Sequence, residues 1–530
     1  MSIMKNILSI LIISISLLSC EEKKEAKRIP LTSSSKEAVE NFNQGEFRQE
    51  QLEDNEANAH YKKAFELDSN FALAKINYNN QTDPADNKKR LVDAYNNRAK
   101  LSEIESVIVS IKYETTINND YAKSDLMMDS LIKKYSDYYE LYVYSAYIKN
   151  KLNNTDGCMN RFKEALKVNP ECYAAALSLP DLHSLNGNAL GSENYFNMLP
   201  LEKRNLDEAE KYFKLAAKIR PKAPATARMY GNLYRTKGDL DKALEKYQES
   251  IELNVEKTGL LTLSYMMVGH VYLNKGEYDK SREYYKKSED FTIEIKHKYG
   301  GNPGVSDRLA LTYLYEKKYD ETILEANKLL LKIDSLQTPE RKKITNRFGI
   351  ESLKFATYGH SLKEDEAQAS MNKLINHRVA YRNDQIKFAT NQNEINRIQN
   401  SIKSDSLYFD IWFNVLFAHY EEAEKKIKDF EIVSAELLKT DPKAMNHYYD
   451  QLGYLNLMEG KIKESIENFK KVIGLDDDVY YYYFYALALK AQGNKAESDQ
   501  IFTNISNNSF VQWQAGIVKN LAKAQLNAGN

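Results

Sequence analysis

Two stretches of this 530-residue chain repeat their own ladder of residues at a fixed offset, which is the signature of similar units stacked side by side. Gly231, Tyr234, Gly238, Ala243, Tyr247 and Ser250 recur as Gly269, Tyr272, Gly276, Ser281, Tyr285 and Ser288, each 38 positions on. Leu452, Gly453, Gly460, Ser465, Phe469 and Val472 return as Tyr485, Ala486, Gly493, Ser498, Phe502 and Ile505, each 33 on. A further pair shows only the later half: Cys158, Phe162, Ala165 and Pro170 match Ala209, Phe213, Ala216 and Pro221 at a displacement of 51, one repeat plus an insertion. A chain of this length cannot grow around one core, so it must divide or extend, and the repeats select extension.

The rungs have a physical reading as helical hairpins. Two helices approach closely only where small residues face each other, so Gly231 and Ala243 leave room for contact while Tyr234 and Tyr247 fill the gap beside them. Gly238 falls in the turn, where a residue without a Cβ takes positive φ at little cost. Asn169-Pro170, Arg220-Pro221 and Asp441-Pro442 end second helices, because proline drives the residue before it out of the helical region. This spacing resembles the tetratricopeptide repeat, and the resemblance implies an all-α fold, an α-α superhelical solenoid of hairpins from about Asn41 onward. Weaker copies keep only part of the pattern: Ala57, Tyr61 and Ala64; Ser124, Met128 and Leu131; Thr322, Ala326 and Leu329.

The first residues read as an address rather than as structure. Lys5 supplies a positive start, Ile7 to Leu18 is an apolar run broken by three serines, and Leu17-Leu18-Ser19-Cys20 resembles the lipobox of bacterial lipoproteins. The run is too short for a comfortable membrane span. The resemblance implies that residues 1–19 are a signal peptide and that Cys20 is acylated, becoming the first residue of a lipoprotein of a Gram-negative, Bacteroidetes-type bacterium. Several acyl chains, at about 0.8 kcal/mol per buried methylene, hold a protein stably at a bilayer. Glu21 is not the Asp that retains some lipoproteins at the inner membrane, so the outer membrane is the expected site, on its periplasmic or surface side. Residues 20–40, charged and then Ser-rich, read as a flexible tether.

Beyond the tether three blocks are expected: tetratricopeptide-like repeats over 41–300, interrupted at 82–100 and 187–204; divergent helical repeats over 301–410, with a long helix or helical hairpin at 381–406; and regained repeats over 411–530, closed by a helix at 511–526 that caps the stack. Gly300-Gly301-Asn302-Pro303-Gly304 marks the loop between the first two.

Composition removes several functions. With 74 basic and 75 acidic residues nothing drives the chain toward nucleic acid. Cys158 and Cys172 are separated by roughly 15 to 20 Å of mostly helical path, beyond disulfide reach, and read as buried fillers. The eight histidines, His360, His377 and His419 among them, show no metal-ligand spacing, and no GxSxG, HExxH, P-loop or GxGxxG motif is present. No catalysis, cofactor or metal is expected.

Tetratricopeptide solenoids hold peptides on the concave surface lined by first helices, and the resemblance implies other proteins or peptides as partners. Members that grip a C-terminal carboxylate place a basic residue and an Asn one turn apart; Arg228 and Asn232 match, with Arg235 a turn further on, while the next repeat offers only Met266 and His270. The alternative is a solvated polar face. A second candidate is Tyr480 with Tyr483, read as exposed on the concave side, whereas Tyr482 and Tyr485 fall on packing rungs. The expected function is a membrane-anchored scaffold for protein–protein interaction in the cell envelope. Alternatives are a glycan-binding lipoprotein like the SusD family, disfavoured by having only Trp412 and Trp513 and few loops, and an accessory lipoprotein of outer-membrane assembly or secretion.

Overall fold

The computed structural model describes residues 26–80, 83–183, 199, 203–299, 304–389, 391–441, 443–472 and 478–528. Residues 1–19, expected to be a signal peptide, and Cys20, Gly187, Gly191, Pro200, residues 300–303 and Pro442 lie outside them. Among the described residues the chain is helical throughout, with a single isolated bridge between Lys27 and Tyr138 and no strand. No described helix is long and apolar enough to cross a membrane.

The chain forms two compact units. The first takes in residues up to Glu46 and His60–Leu182; the second takes in Phe47–Ala59 and, after Leu182, nearly all that follows. Helices α1 (Lys36–Glu50) and α2 (Asp54–Leu67) contribute to both. The first unit continues with α3 (Ala72–Asn77), α4 (Pro84–Asn97), α5 (Glu103–Tyr113), α6 (Tyr121–Lys134), α7 (Tyr139–Lys151), α8 (Thr155–Val168) and α9 (Tyr173–Ser178). Helix α4 occupies the stretch expected to interrupt the repeats. Asp83 caps it, accepting from the amides of Ala85 and Asp86, and Pro84 stands at its first position, where its missing N–H costs nothing. The Asp-Pro pair thus starts a helix rather than a loop.

The expected tether is also corrected where it is described. The main chain of Ile29 donates to Glu140 (2.9 Å), the amide and hydroxyl of Thr32 donate to Glu105 (2.7 Å for the amide), and Ser33 and Ser34 donate to Asp68. Glu105 is fully buried and closes the capping box with Ser102 at the start of α5. These serines and Thr32, read from composition as flexible, are donors that match buried carboxylates of the first unit, and α1 begins at Lys36. Glu105→Gln keeps the shape but turns one acceptor into a donor facing other donors. The expected cost is about 2 kcal/mol in the first unit, with faster cleavage of residues 26–35 by protease. Unchanged cleavage would contradict the pinning.

The second unit is a run of hairpins: α10 (Leu206–Ile219), α11 (Pro224–Thr236), α12 (Leu240–Leu253), α13 (Leu260–Lys275), α14 (Tyr278–Lys298), α15 (Arg308–Tyr315), α16 (Tyr319–Ser335), α17 (Glu340–His360), α18 (Glu364–Ile386), α19 (Gln392–Leu416), α20 (Tyr420–Leu438), α21 (Asn446–Met458), α22 (Ile462–Lys470), α23 (Val479–Gln492), α24 (Lys495–Asn507) and α25 (Trp513–Asn527). From α11 to α24 each odd-numbered helix pairs with the even-numbered one after it, and each pair meets the next, which is the tetratricopeptide-like superhelical arrangement. The rungs explain the pairing. A Cβ on Gly231 would lie 2.5 Å from the Tyr247 ring, and the same holds for Gly269 against Tyr285. Gly45 meets Tyr61 in the same way in the first unit. The serine rungs add bonds between helices: Ser281, Ser465 and Ser498 donate to the carbonyls of Gly269, Gly453 and Ala486. Residues 381–406 fall in the hairpin α18–α19, where Ile398 is buried and Ile395 and Ile402 are half-buried. Cys158 and Cys172 are both buried, and burial pushes the Cys158 thiol up to about 12.

Candidate functional site on the inner faces of the second unit

The inner faces of the odd-numbered helices are built by three- and four-residue spacing. On α11, Arg228, Asn232 and Arg235 share a face; on α13, His270 and Asn274; on α15, Arg308, Thr312 and Tyr315. The sequence reading expected the first three on an open surface. The structure corrects this: Arg228 and Asn232 are 1% exposed and Arg235 5%. Asn232 accepts from the Tyr247 hydroxyl at 2.7 Å, so its polar end ties a hairpin together. His270 does the same one repeat later, its Nδ1 bonded to the Tyr285 hydroxyl at 2.6 Å. Burial, with the positive charges of Arg308 and Arg235, holds the His270 imidazole well below its ordinary pKa, and it is therefore neutral. The Nε of Arg235 is buried with no hydrogen-bond partner among the described residues.

At Arg235, Asn274, Arg308 and Tyr315 this face is met by the chain's own C-terminal end. Helix α25 packs on α24 and α23 and also on α15 and α17, so beyond the terminal capping role expected of it, it lies against the inner helices of much earlier repeats. A Cβ on Gly516 would come within 2.9 Å of Leu314 and Tyr315, which measures how close α25 and α15 lie. The segment entering α25 is held by side chains. The carbonyl of Asn508 accepts from Lys519 Nζ (2.8 Å), Ser509 from Asn274 Nδ2 (3.3 Å) and Val511 from Arg308 Nη1 (3.2 Å), while the single proton of the Tyr315 hydroxyl is shared between Phe510 and Gln512 (3.3 Å each), Gln512 also accepting the Gly516 amide (3.0 Å) that opens the helix. The Ser509 hydroxyl donates to the carbonyl of Arg235 at 3.2 Å. Asn274, Arg308, Tyr315 and Lys519 escaped the sequence reading. Only the polar position four residues after His270 on an apolar helix could have signalled one of them.

Tyr480 and Tyr483 are likewise corrected, at 1% and 6% exposed. The Tyr480 hydroxyl accepts from Trp412 Nε1 at 3.0 Å and bonds His360 Nε2 at 3.0 Å; the Tyr483 ring packs 5.7 Å from Phe502. Tyr482, assigned to a packing rung, is the half-buried member of the run, and Tyr485 is buried as expected. The reason is that α23 packs against four helices, α21, α22, α24 and α25, the last of which has no counterpart in a plain hairpin stack. Trp412 stacks on Trp513 at 5.5 Å and 25°, so neither tryptophan stands out as a sugar platform.

Lys519 makes this contact sensitive to pH. It is 6% exposed, its amine donates to Asn274 Oδ1 and to Asn508, and burial, reinforced by Lys523, lowers its pKa to about 7. An unfolded lysine titrates near 10.5, so between those values the unfolded chain carries more protons and the second unit gains stability as pH rises; below about 7 both states are charged and the dependence flattens. From pH ~7 to ~8.5 a gain of about 1.5 kcal/mol is expected in urea melts of the second unit, absent in Lys519→Met. A slope shared by both proteins would place its origin elsewhere.

Tetratricopeptide-repeat signatures match residues 201–254 and 263–290. No curated protein matches the chain in sequence. Among solved structures it is similar to the human IFIT1 dimer with m7Gppp-AAAA, at 14% identity over 89% of this chain and 90% of that one with a TM-score of 0.34, and to the human IFIT1 dimer with PPP-AAAA, at 16% identity over 81% and 89% with a TM-score of 0.36. It is also similar to Naa15/Naa10 bound to HypK-THB, at 14% over 81% and 68% with a TM-score of 0.24. The chain therefore carries tetratricopeptide repeats within a helical-hairpin solenoid.

Proposed function

We propose that the chain is a lipid-anchored scaffold of a bacterial envelope that holds segments of other proteins on the inner faces of its hairpins. One observation carries the binding half: four successive main-chain carbonyls, Asn508 to Val511, are received by side chains rather than by secondary structure, which is how a groove holds the main chain of an extended peptide. The anchoring half rests on the lipobox-like Leu17-Leu18-Ser19-Cys20. With Ala26 onward against the first unit, the six residues after Cys20 span at most about 20 Å, and an acylated Cys20 would keep that unit close to the bilayer. The outer membrane is the proposed location. Protein partners of assembly or secretion fit the same groove, and no catalysis is part of the proposal. Radiolabelled fatty acid should enter the wild-type chain and be lost in Cys20→Ala; label retained in that variant would remove the anchor. Cross-linking in envelopes followed by mass spectrometry identifies the partners, and recovery of a β-barrel protein would select the assembly or secretion role.

A further inference from the structure

The segment before α25 has the properties of a bound ligand. Four successive carbonyls, Asn508 to Val511, are read by Lys519, Asn274, Tyr315 and Arg308, three of which belong to helices roughly two hundred residues earlier in the chain. Its inward side chains alternate as an extended chain requires: Ser509 and Val511 are buried at 3% and 4%, and Trp513, two further on, stacks on Trp412. It contributes none of the small-aromatic rungs that join hairpins to one another. Arg235 and Arg308 lie close enough to act on His270, and Lys523 stands beside Lys519; against these, Asp307 pairs with Arg308 Nη1 at 3.4 Å, so cations outnumber the carboxylate and the site disfavours a basic segment.

We infer that the inner face formed by α11, α13, α15 and α19 is a peptide site occupied in the resting chain by residues 508–513, and that its external ligand is an extended protein segment with a small, an aliphatic and an aromatic residue at alternate positions and no lysine or arginine among them. This names the ligand class for the scaffold proposed above and rests on that reading. The partner segment enters by displacing the resident one, so the chain is closed until a competing segment is abundant or locally concentrated.

The test uses the full chain and a fluorescein-labelled peptide of residues 505–516. Val511→Lys sets a charge at a buried position of the resident segment and leaves the receiving side chains intact. Fluorescence anisotropy should show at least tenfold tighter peptide binding to Val511→Lys than to the wild type, lost again in Val511→Lys/Arg308→Ala and with a scrambled peptide. Should Val511→Lys fail to fold, Trp513→Ala opens the same segment more gently. Hydrogen exchange reports whether residues 508–516 have been released. Release without a gain in peptide binding overturns the site, and a folded Trp513→Ala chain in which the segment stays protected overturns displacement. Peptide binding by the opened chain with no envelope partner sensitive to Arg308→Ala would keep the site and remove the scaffold reading; captured partners without peptide binding would do the reverse.

Discussion

Replacing Trp412 with alanine is expected to cost the second unit about 4 kcal/mol, the largest loss from any single side chain outside the hairpin rungs. Trp412 is 2% exposed and is held on three sides: Phe355 edge-on at 4.8 Å, Tyr480 at 5.5 Å and Trp513 stacked at 5.5 Å. Truncation removes the indole's buried area and leaves a cavity that rigid neighbours cannot fill, because Tyr480 stays bonded to His360 and Phe355 is itself fully buried. The indole N–H also donates to the Tyr480 hydroxyl, but that oxygen keeps its histidine partner, so the lost hydrogen bond adds only about 1 kcal/mol. Packing therefore decides the outcome. Trp412→Phe retains most of the ring and should cost about half as much. The two variants are compared by urea unfolding followed through Trp513, and equal losses would show that the hydrogen bond rather than the packing governs.

How far the fold could be read in advance depends on which residue stands at the hairpin turn. Gly238, Gly276, Gly460 and Gly493 all take positive φ, and these are the repeats that the ladder displayed. The same turn recurs at Leu52, Asn153, Lys317, Leu362 and Ala418, each left-handed without being glycine. At each of these nine turns the following amide closes on a carbonyl five residues before it, as Asp239 does on Tyr234, Lys363 on Tyr358 and His419 on Asn414. The middle repeats are thus ordinary hairpins whose turns tolerate a strained residue because packing on both sides imposes the geometry. Longer helices stretch their period as well: α17 to α19 run 21, 23 and 25 residues against 13 for α11. The candidate site was less legible. Periodicity placed Arg228, Asn232 and Arg235 on one face, correctly, but whether a face is wet depends on what lies across it, and residues 508–527 return to that face without any local signal.

Two glycines of one repeat should respond very differently to alanine. At Gly231 a Cβ would sit 2.5 Å from the Tyr247 ring, and that ring cannot retreat: it is fully buried and its hydroxyl is bonded to Asn232. Either the ring leaves its bond and its packing or the two helices part, and the expected cost of Gly231→Ala is about 3 kcal/mol. At Gly238 nothing lies within 4 Å of the added carbon, and the penalty comes only from a φ of 81°, about 1 kcal/mol. A double-mutant cycle separates closeness from chain conformation. Tyr247→Leu alone should be costly, yet combined with Gly231→Ala it should cost far less than the sum, because the smaller side chain makes the room that the Cβ needs. Combined with Gly238→Ala it should simply add. Additivity at both glycines would mean that the Gly231 rung serves helix geometry rather than the notch that seats Tyr247, and the hairpin pairing of the whole second unit would then need another cause.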